Sequence, residues 1–137
     1  IGDKCKLIID ANSSYTYFQA VELYQRVKDY DIYIFEEPCP YYDMEAYARL
    51  VEKIPVPINW GEQDWNIYTF RDFLSKGLVQ YCAADITKCG GFLREKRIAA
   101  LCHAYGVLLS PHNTSRGVGM AAHIQFLASC QECFSGI

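Results

Sequence analysis

Five polar residues with catalytic potential recur at nearly equal distances along the chain, each just after a short apolar run. The separations are 26, 26, 23 and 27 positions, and the residues are Asp10, Glu36, Glu62, Asp85 and His112. Such an interval is typical of one strand followed by one helix. A parallel strand buried on both faces is a continuous apolar run, and its C-terminal end is where barrel folds place their chemistry. The pattern therefore predicts an active site built from five consecutive strand ends.

The first three of these residues are carboxylates on strands that are predicted to be neighbours. Asp10, Glu36 and Glu62 would repel one another unless a cation lies among them. A set of oxygen ligands favours a hard ion, and Mg2+ also keeps coordination positions open for water and substrate. Taken singly, each carboxylate is more simply explained as a solvated loop residue or a helix cap. The metal hypothesis therefore depends on all three lying at matching strand ends.

The other two residues form a candidate acid–base pair. Asp85 and His112 end the next two predicted strands, so we expect their side chains to be neighbours beside the metal site. A carboxylate next to an imidazole fixes its tautomer and raises its basicity. His103 and His123 fall in predicted helices and are interpreted as structural, whereas His112 directly follows a strand.

Together these groups indicate a class of reaction. A divalent ion that holds a carboxylate substrate acidifies the proton on the adjacent carbon and stabilises the enediolate that forms. A histidine at this place would remove that proton, return one, or protonate a leaving hydroxyl group. The expected partner is therefore a small carboxylic acid.

Composition argues against several other classes of protein. Half of the 137 residues are apolar and the formal net charge is −3, so neither a nucleic-acid surface nor a basic membrane patch is indicated. No apolar run approaches the roughly 20 residues of a membrane span and no signal peptide is visible, which favours a cytoplasmic location. The seven cysteines are expected to be reduced thiols. Cys130 and Cys133 form a single CxxC, which is weak support for zinc.

The elements that must position the five residues are predicted from hydrophobic period and cap residues. Thr16 and Asp43 are candidate N-caps, and Gly77 and Gly106 are predicted helix ends. The predicted helices span about 16–29, 44–53, 69–76, 91–105 and 120–129. Beyond the apolar runs before Asp10 and Glu36, strands are predicted at about 58–60, 78–84 and 107–109.

A strand and a helix thus alternate five times without a linker or low-complexity segment. Such alternation is typical of a parallel sheet, and units of about 25 residues favour a (β/α) barrel. We predict an α/β chain that forms part of a TIM-type barrel, with about five consecutive βα units. A doubly wound open sheet is the alternative, although neither a P-loop nor a GxGxxG motif is present to support nucleotide binding.

Five segments resemble the enolase superfamily, and within it the mandelate racemase-like subgroup. They are IIDAN, IFEEP, INWGEQD, DITKCGG and SPHN, in the family's order and spacing over nearly the whole chain. The resemblance implies that Asp10, Glu36 and Glu62 bind Mg2+ and that Asp85 and His112 are the catalytic pair.

The resemblance also favours one reaction within the subgroup. In a sister group similar to muconate-lactonising enzymes, a catalytic lysine stands at the position of Asp85, and Lys88 lies three residues later and is interpreted as structural. Acid-sugar dehydratases outnumber racemases in the subgroup, and they expel the β-hydroxyl group to leave a 2-keto-3-deoxy acid. His112 would be the base, or the acid toward the leaving group. Asn12 and Gln63 are candidate substrate contacts, although a structural role explains each equally well.

Other elements of the family are not recognisable in the sequence. Members carry an N-terminal capping domain, a lysine motif on an earlier barrel strand and often a glutamate on the last strand, whereas Lys4 and Lys6 lie too close to the first strand and Glu132 lies several residues early. We therefore interpret residues 1–137 as the central portion of a (β/α)7β-type barrel domain, without its capping domain and its first and last strands. Because members often form symmetric assemblies, we expect a homo-oligomer.

Three hypotheses for the function stay open. The first is Mg2+-dependent dehydration of an acid sugar. The second is racemisation or epimerisation of a 2-hydroxy acid, which requires a second base on the opposite face of the substrate. The third is an inactive fragment, because a partial barrel alone exposes two sheet edges and an unfilled core.

Overall fold

The computed structural model describes residues 4–130, in which strands and helices alternate along the chain. The strands are β1 (Leu7–Asp10), β2 (Ile32–Glu36), β3 (Ile58–Trp60), β4 (Tyr81–Cys82) and β5 (Leu108–Leu109), and the helices are α1 (Tyr17–Val27), α2 (Met44–Lys53), α3 (Ile67–Ser75), α4 (Phe92–Tyr105) and α5 (Val118–Ala128). A short 3-10 turn, Lys28–Tyr30, follows α1. None of the helices in this range is long and apolar enough to cross a membrane.

All five strands are parallel and pair in chain order, from β1 at one edge to β5 at the other. The register places Asp10 opposite Glu36, and Trp60 opposite Cys82. A helix follows every strand, so the chain forms five consecutive βα units. The predicted α/β fold class is confirmed.

Strand β4 is shorter than the sequence predicts. Only Tyr81–Cys82 has strand geometry within the predicted range 78–84. Pairing nevertheless continues on both sides, because the N–H of Gln80 donates to the carbonyl of Ile58 at 3.0 Å and the N–H of Ala83 donates to that of Trp60 at 2.8 Å. The ends of β3 and β4 are therefore held in line.

Polar side chains determine where three of the helices begin, among them α1 and α3. Thr16 and Gln19 form a capping box at the start of α1, as the predicted cap requires. Helix α3 begins at Ile67 instead of at position 69, because Asn66 Oδ1 accepts a hydrogen bond from the N–H of Tyr68 at 3.0 Å. The sequence pattern missed this cap because an asparagine is equally common in turns.

Aromatic side chains fill the layer between β3 and helices α2 and α3. Trp60 is fully buried and stacks on Phe73, with ring centroids 3.9 Å apart and an interplanar angle of 5°. Its indole N–H donates to the carbonyl of Tyr41 at 2.9 Å, and the hydroxyl of Tyr47 donates to that of Cys39 at 2.9 Å. These contacts anchor the loop that follows β2 as well as the strand itself.

One carboxyl group in helix α4 is buried without a hydrogen-bond partner among the described residues. Glu95 has no exposed surface, and no described residue donates a hydrogen bond to either of its carboxyl oxygens. Burial raises the pKa of Glu95 to about 8, and the negative charge of Asp85 adds to the rise. The group is therefore protonated in the folded protein at pH values where it is ionised in the unfolded chain.

The cap of α2 gives a first prediction. Asp43 Oδ1 accepts a hydrogen bond from the N–H of Ala46 at 3.0 Å. Asp43→Ala should therefore lower the free energy of unfolding by about 1 kcal/mol, whereas Asp43→Asn keeps an acceptor and should stay close to the parent protein. Urea unfolding followed by circular dichroism measures both variants. Equal losses in the two would contradict the capping role.

The pKa of Glu95 gives a second prediction. Between the ordinary carboxyl pKa and about pH 8, the folded protein keeps a proton that the unfolded chain releases, so the free energy of unfolding falls as pH rises. Glu95→Gln removes this titration and should flatten the pH dependence of stability in that window. Glu52→Gln, at an exposed position of α2, is the matched control. Urea unfolding at several pH values gives the slopes, and an unchanged slope in Glu95→Gln would contradict the assignment.

Candidate active site

The predicted site residues all lie at the C-terminal ends of the parallel strands or in the loops that follow them. Asp10 and Glu36 are the last residues of β1 and β2 and lie opposite each other. At the other side of the sheet, the N–H of His112 donates to the carbonyl of Ala84 at 3.2 Å, which keeps the segment after β5 beside the segment after β4. The five residues therefore follow the strands in one row.

The negative charges of two predicted metal ligands, Asp10 and Glu62, act on the third, Glu36, which is paired with Asp10 across β1 and β2. Burial raises the pKa of Glu36, a hydrogen bond with Asn59 lowers it, and the negative charges of Asp10 and Glu62 raise it again, so the net shift is upward. Like charges influence one another in this way only at short range. A cation among the three carboxylates would remove the repulsion.

Glu62 is the most heavily contacted of these carboxylates and is only 2% exposed. Its Oε1 accepts a hydrogen bond from Gln63 Nε2 at 2.7 Å and a longer one from Asn12 Nδ2 at 3.4 Å. The Lys88 ammonium lies 3.9 Å from the same oxygen. On the other side, Oε2 lies 3.1 Å from Nε2 of His112. The two predicted substrate contacts, Asn12 and Gln63, are thus both brought to the predicted metal ligand.

Asp85 and His112 form the pair that the sequence predicts. Asp85 Oδ2 lies 2.8 Å from Nδ1 of His112, and Asp85 is almost fully buried. The other carboxylate oxygen accepts two hydrogen bonds at 2.7 Å, from the backbone N–H and from the hydroxyl of Thr87. Since Asp85 can only accept when ionised, Nδ1 carries the proton in this contact. Nε2 is then the nitrogen that faces the other carboxylates.

The hydrogen bonds around Asp85 favour its ionised form. Burial alone would raise the pKa of Asp85, but the hydrogen bonds from Thr87 and His112 outweigh it and the net shift is downward. An ionised Asp85 both fixes the imidazole orientation and stabilises a positive charge on it. The geometry therefore suits a histidine that takes up and releases protons at Nε2.

The three carboxylates agree with Mg2+ in the type of donor that they offer. All three side chains offer carboxylate oxygens, and burial raises the pKa of Glu36, with the negative charges of Asp10 and Glu62 adding to the rise. Within residues 4–130, however, no group of three or more His, Cys, Asp or Glu side chains is arranged closely enough to hold an ion as it stands. Both oxygens of Glu62 instead contact protein side chains. The ligand assignment stays a prediction.

Two residues interpreted as structural lie nearer to the site than the sequence suggests. Lys88 contacts Glu62 at 3.9 Å, whereas the sequence places it only beside a glycine turn. His123 of α5 is buried, and none of the described residues forms a hydrogen bond with its Nδ1. Burial lowers the pKa of His123, the negative charge of Asp85 raises it and the charge of His112 lowers it, with a net downward shift. His123 is thus a neighbour of the predicted acid–base pair.

Glu37 is a site residue that sequence reasoning missed. It directly follows the predicted ligand Glu36, has no exposed surface, and accepts a hydrogen bond from the Ser13 hydroxyl at 2.5 Å. The only sequence signal was a second glutamate before Pro38. Such a doublet does not reveal that one side chain faces the site and the other a neighbouring loop.

The cysteines give no support for a metal site in the described part of the chain. Cys5, Cys39, Cys82, Cys89 and Cys102 are thiols without disulfides, as expected. The second cysteine of the CxxC, Cys133, and the glutamate at position 132 lie outside the described residues.

The chain is similar in sequence to a cycloisomerase and to several dehydratases. D-galactarolactone cycloisomerase from Agrobacterium fabrum is 38% identical over 94% of this chain and 34% of its own length. Arabinonate dehydratase from Saccharolobus solfataricus is 28% identical over 94% of this chain and 35% of its own length. The chain therefore spans about a third of the length of these relatives.

Comparison with solved structures agrees with the comparison of sequences. A racemase from Streptomyces coelicolor A3(2) with bound magnesium superposes with a TM-score of 0.78 at 28% identity, over 82% of this chain and 34% of that one. The five βα units thus correspond to part of a TIM-type barrel, as predicted. The family described as enolase C-terminal domain-like matches residues 1–136. This chain therefore belongs to the enolase C-terminal domain-like family of the enolase superfamily.

Proposed function

We propose that the protein containing this chain catalyses Mg2+-dependent dehydration of an acid sugar. A base removes the proton on the carbon next to the substrate carboxylate, the β-hydroxyl group leaves with a proton as water, and the resulting enol tautomerises to a 2-keto-3-deoxy acid. The observation that carries the proposal is the imidazole of His112, which lies between Asp85 at 2.8 Å and Glu62 at 3.1 Å. Removal of a proton beside a carboxylate requires a general base and a cation on that carboxylate, and His112 lies beside carboxylates that would hold the cation.

Asp10, Glu36 and Glu62 are the residues that would hold Mg2+. When bound, the ion supplies positive charge that stabilises the enediolate of the substrate carboxylate. The oxygen-only donor set supports this choice of metal, and so does the solved relative that contains magnesium. We assign Asn12 and Gln63, whose amides donate to Glu62, to the orientation of this carboxylate and to contact with substrate.

His112 is assigned as the base at the α-carbon or as the acid toward the leaving hydroxyl group. Asp85 accepts from Nδ1 and so leaves Nε2 as the nitrogen that exchanges the proton. Because the pKa of Asp85 is lowered, its carboxylate stays ionised throughout the neutral pH range and keeps the imidazole in this orientation. The proton removed from substrate and the proton given to the leaving oxygen can then pass through one residue.

Cycloisomerisation is a second candidate, favoured by the 38% identity with a galactarolactone cycloisomerase. The same proton is removed, but the β-oxygen that leaves belongs to a lactone ring, so the ring opens and the product keeps every atom of the substrate. Both reactions use the same acid–base pair. They differ in the substrate that the site admits.

A substrate panel in D2O tests both candidates. The full-length protein is incubated with Mg2+ and with aldonic acids, aldaric acids and their lactones, and the products are identified by NMR and mass spectrometry. A keto acid formed from an open-chain acid with loss of water supports dehydration, and one formed from a lactone without loss of mass supports cycloisomerisation. Deuterium at the α-carbon without a keto acid would indicate racemisation instead. Absence of all three across the panel would contradict the proposal.

Substitution of His112 tests the assignment of the proton-transfer residue. His112→Asn should lower kcat by about a thousandfold, within the range typical for loss of a general base or acid. His103→Asn, at an exposed position of α4, is the matched control and should keep the parent kcat. Chelation of the metal should abolish turnover in the parent protein, and added Mg2+ should restore it. Parent-like turnover in His112→Asn would contradict the assignment.

A further inference from the structure

Glu37 connects three segments of the chain through its side chain and its backbone. Its Oε2 accepts a hydrogen bond from the Ser13 hydroxyl at 2.5 Å, and its Oε1 accepts one from the N–H of Gly61 at 3.3 Å. Its carbonyl accepts from the N–H of Ser13 at 2.8 Å, and its own N–H donates to the carbonyl of Asn59 at 2.9 Å. Segments that follow β1, β2 and β3 therefore meet at one residue.

Each of these segments carries one of the predicted metal ligands. Ser13 lies three positions after Asp10, Glu37 directly follows Glu36, and Gly61 directly precedes Glu62. The contacts of Glu37 thus connect the three segments that carry the predicted ligands. They are well placed to set the spacing of the three carboxylates.

The conformation of Glu37 is one that a protein keeps only when its surroundings enforce it. Its φ of 36° is in the left-handed region, which a residue with a long side chain rarely adopts, and its side chain has no exposed surface. A buried carboxylate is also costly unless donors satisfy it. Backbone strain and burial occur together at Glu37, which argues that its contacts have a role in the arrangement of the site.

We propose that Glu37 is a positioning residue that, through Ser13 and Gly61, holds together the segments bearing Asp10, Glu36 and Glu62 and so supports the binding of Mg2+ by these three carboxylates. The inference rests on the proposed function for the identity of the metal. It adds a residue that touches neither metal nor substrate but determines how tightly the metal is held. Residues that orient metal ligands in this way typically contribute about 10- to 100-fold to metal affinity.

Metal affinity in the full-length protein tests the proposal. Ser13→Ala removes one donor, and Glu37→Gln replaces one carboxylate acceptor with an amide that cannot accept from both partners. We expect each to weaken Mg2+ or Mn2+ binding by about tenfold or more, with kcat largely recovered at saturating metal. Asp64→Asn is the matched control, because Asp64 is a buried carboxylate with a local contact to the N–H of Asn66. Calorimetry and the electron paramagnetic resonance of free Mn2+ give the affinities.

A double variant separates positioning from general loss of stability. Because the Ser13 hydroxyl acts through Glu37, the two substitutions together should weaken metal binding by less than the product of their separate effects. Thermal unfolding without metal is measured alongside. Folded Ser13→Ala and Glu37→Gln variants with parent-like metal affinity would overturn the proposal, as would effects that multiply fully.

Metal binding and turnover are measured separately, so the two proposals can fail separately. A parent protein that binds Mg2+ but yields no keto acid contradicts the proposed function, and the affinities of the variants still decide the role of Glu37. Active variants whose metal affinity is unchanged contradict the role of Glu37 alone.

Discussion

Burial of several carboxyl groups close to one another is the constraint on which the architecture of this site depends. Five parallel strands in chain order deliver one acidic segment after another to the same edge, with Asp10 directly opposite Glu36. Glu37 and Asp85 add further carboxyl groups close to the predicted metal ligands. A fold that gathers so many of these groups must supply donors to each or keep some of them protonated.

Two neighbouring carboxyl groups show these two outcomes, one ionised with donors and the other protonated without them. Asp85 is held ionised by Thr87 and by His112, and its pKa lies below the ordinary value. Glu95 has no donor among the described residues, and burial together with the charge of Asp85 raises its pKa to about 8. The charge of the region therefore depends on how far the hydrogen bonds to each carboxyl group offset its burial, since the pKa of Glu36 stays raised even with a hydrogen bond to Asn59.

The sequence predicted the parts of this arrangement that depend on local order. Regular spacing identified the residues from Asp10 to His112, and hydrophobic period located five helices, because a strand–helix unit is itself a local pattern. It did not identify the contact between Ser13 and Glu37, which are 24 positions apart and meet only when β1 and β2 pair. The sequence also did not predict the burial of Glu95, since a glutamate in a charged helical stretch has the pattern of a solvated face.

In the turn after β4, Asp85 contacts both the imidazole of His112 and the backbone of the turn. One oxygen of Asp85 orients the imidazole, while the other closes the turn by accepting from the N–H and hydroxyl of Thr87. A lysine at this position, as in the sister group, would offer donors where this turn requires an acceptor. An ammonium base and an imidazole base are therefore not interchangeable by one substitution here, because the connection into α4 would have to be rebuilt with the base. A change from an imidazole base to an ammonium base would thus require a different turn after β4 as well as a different residue at position 85.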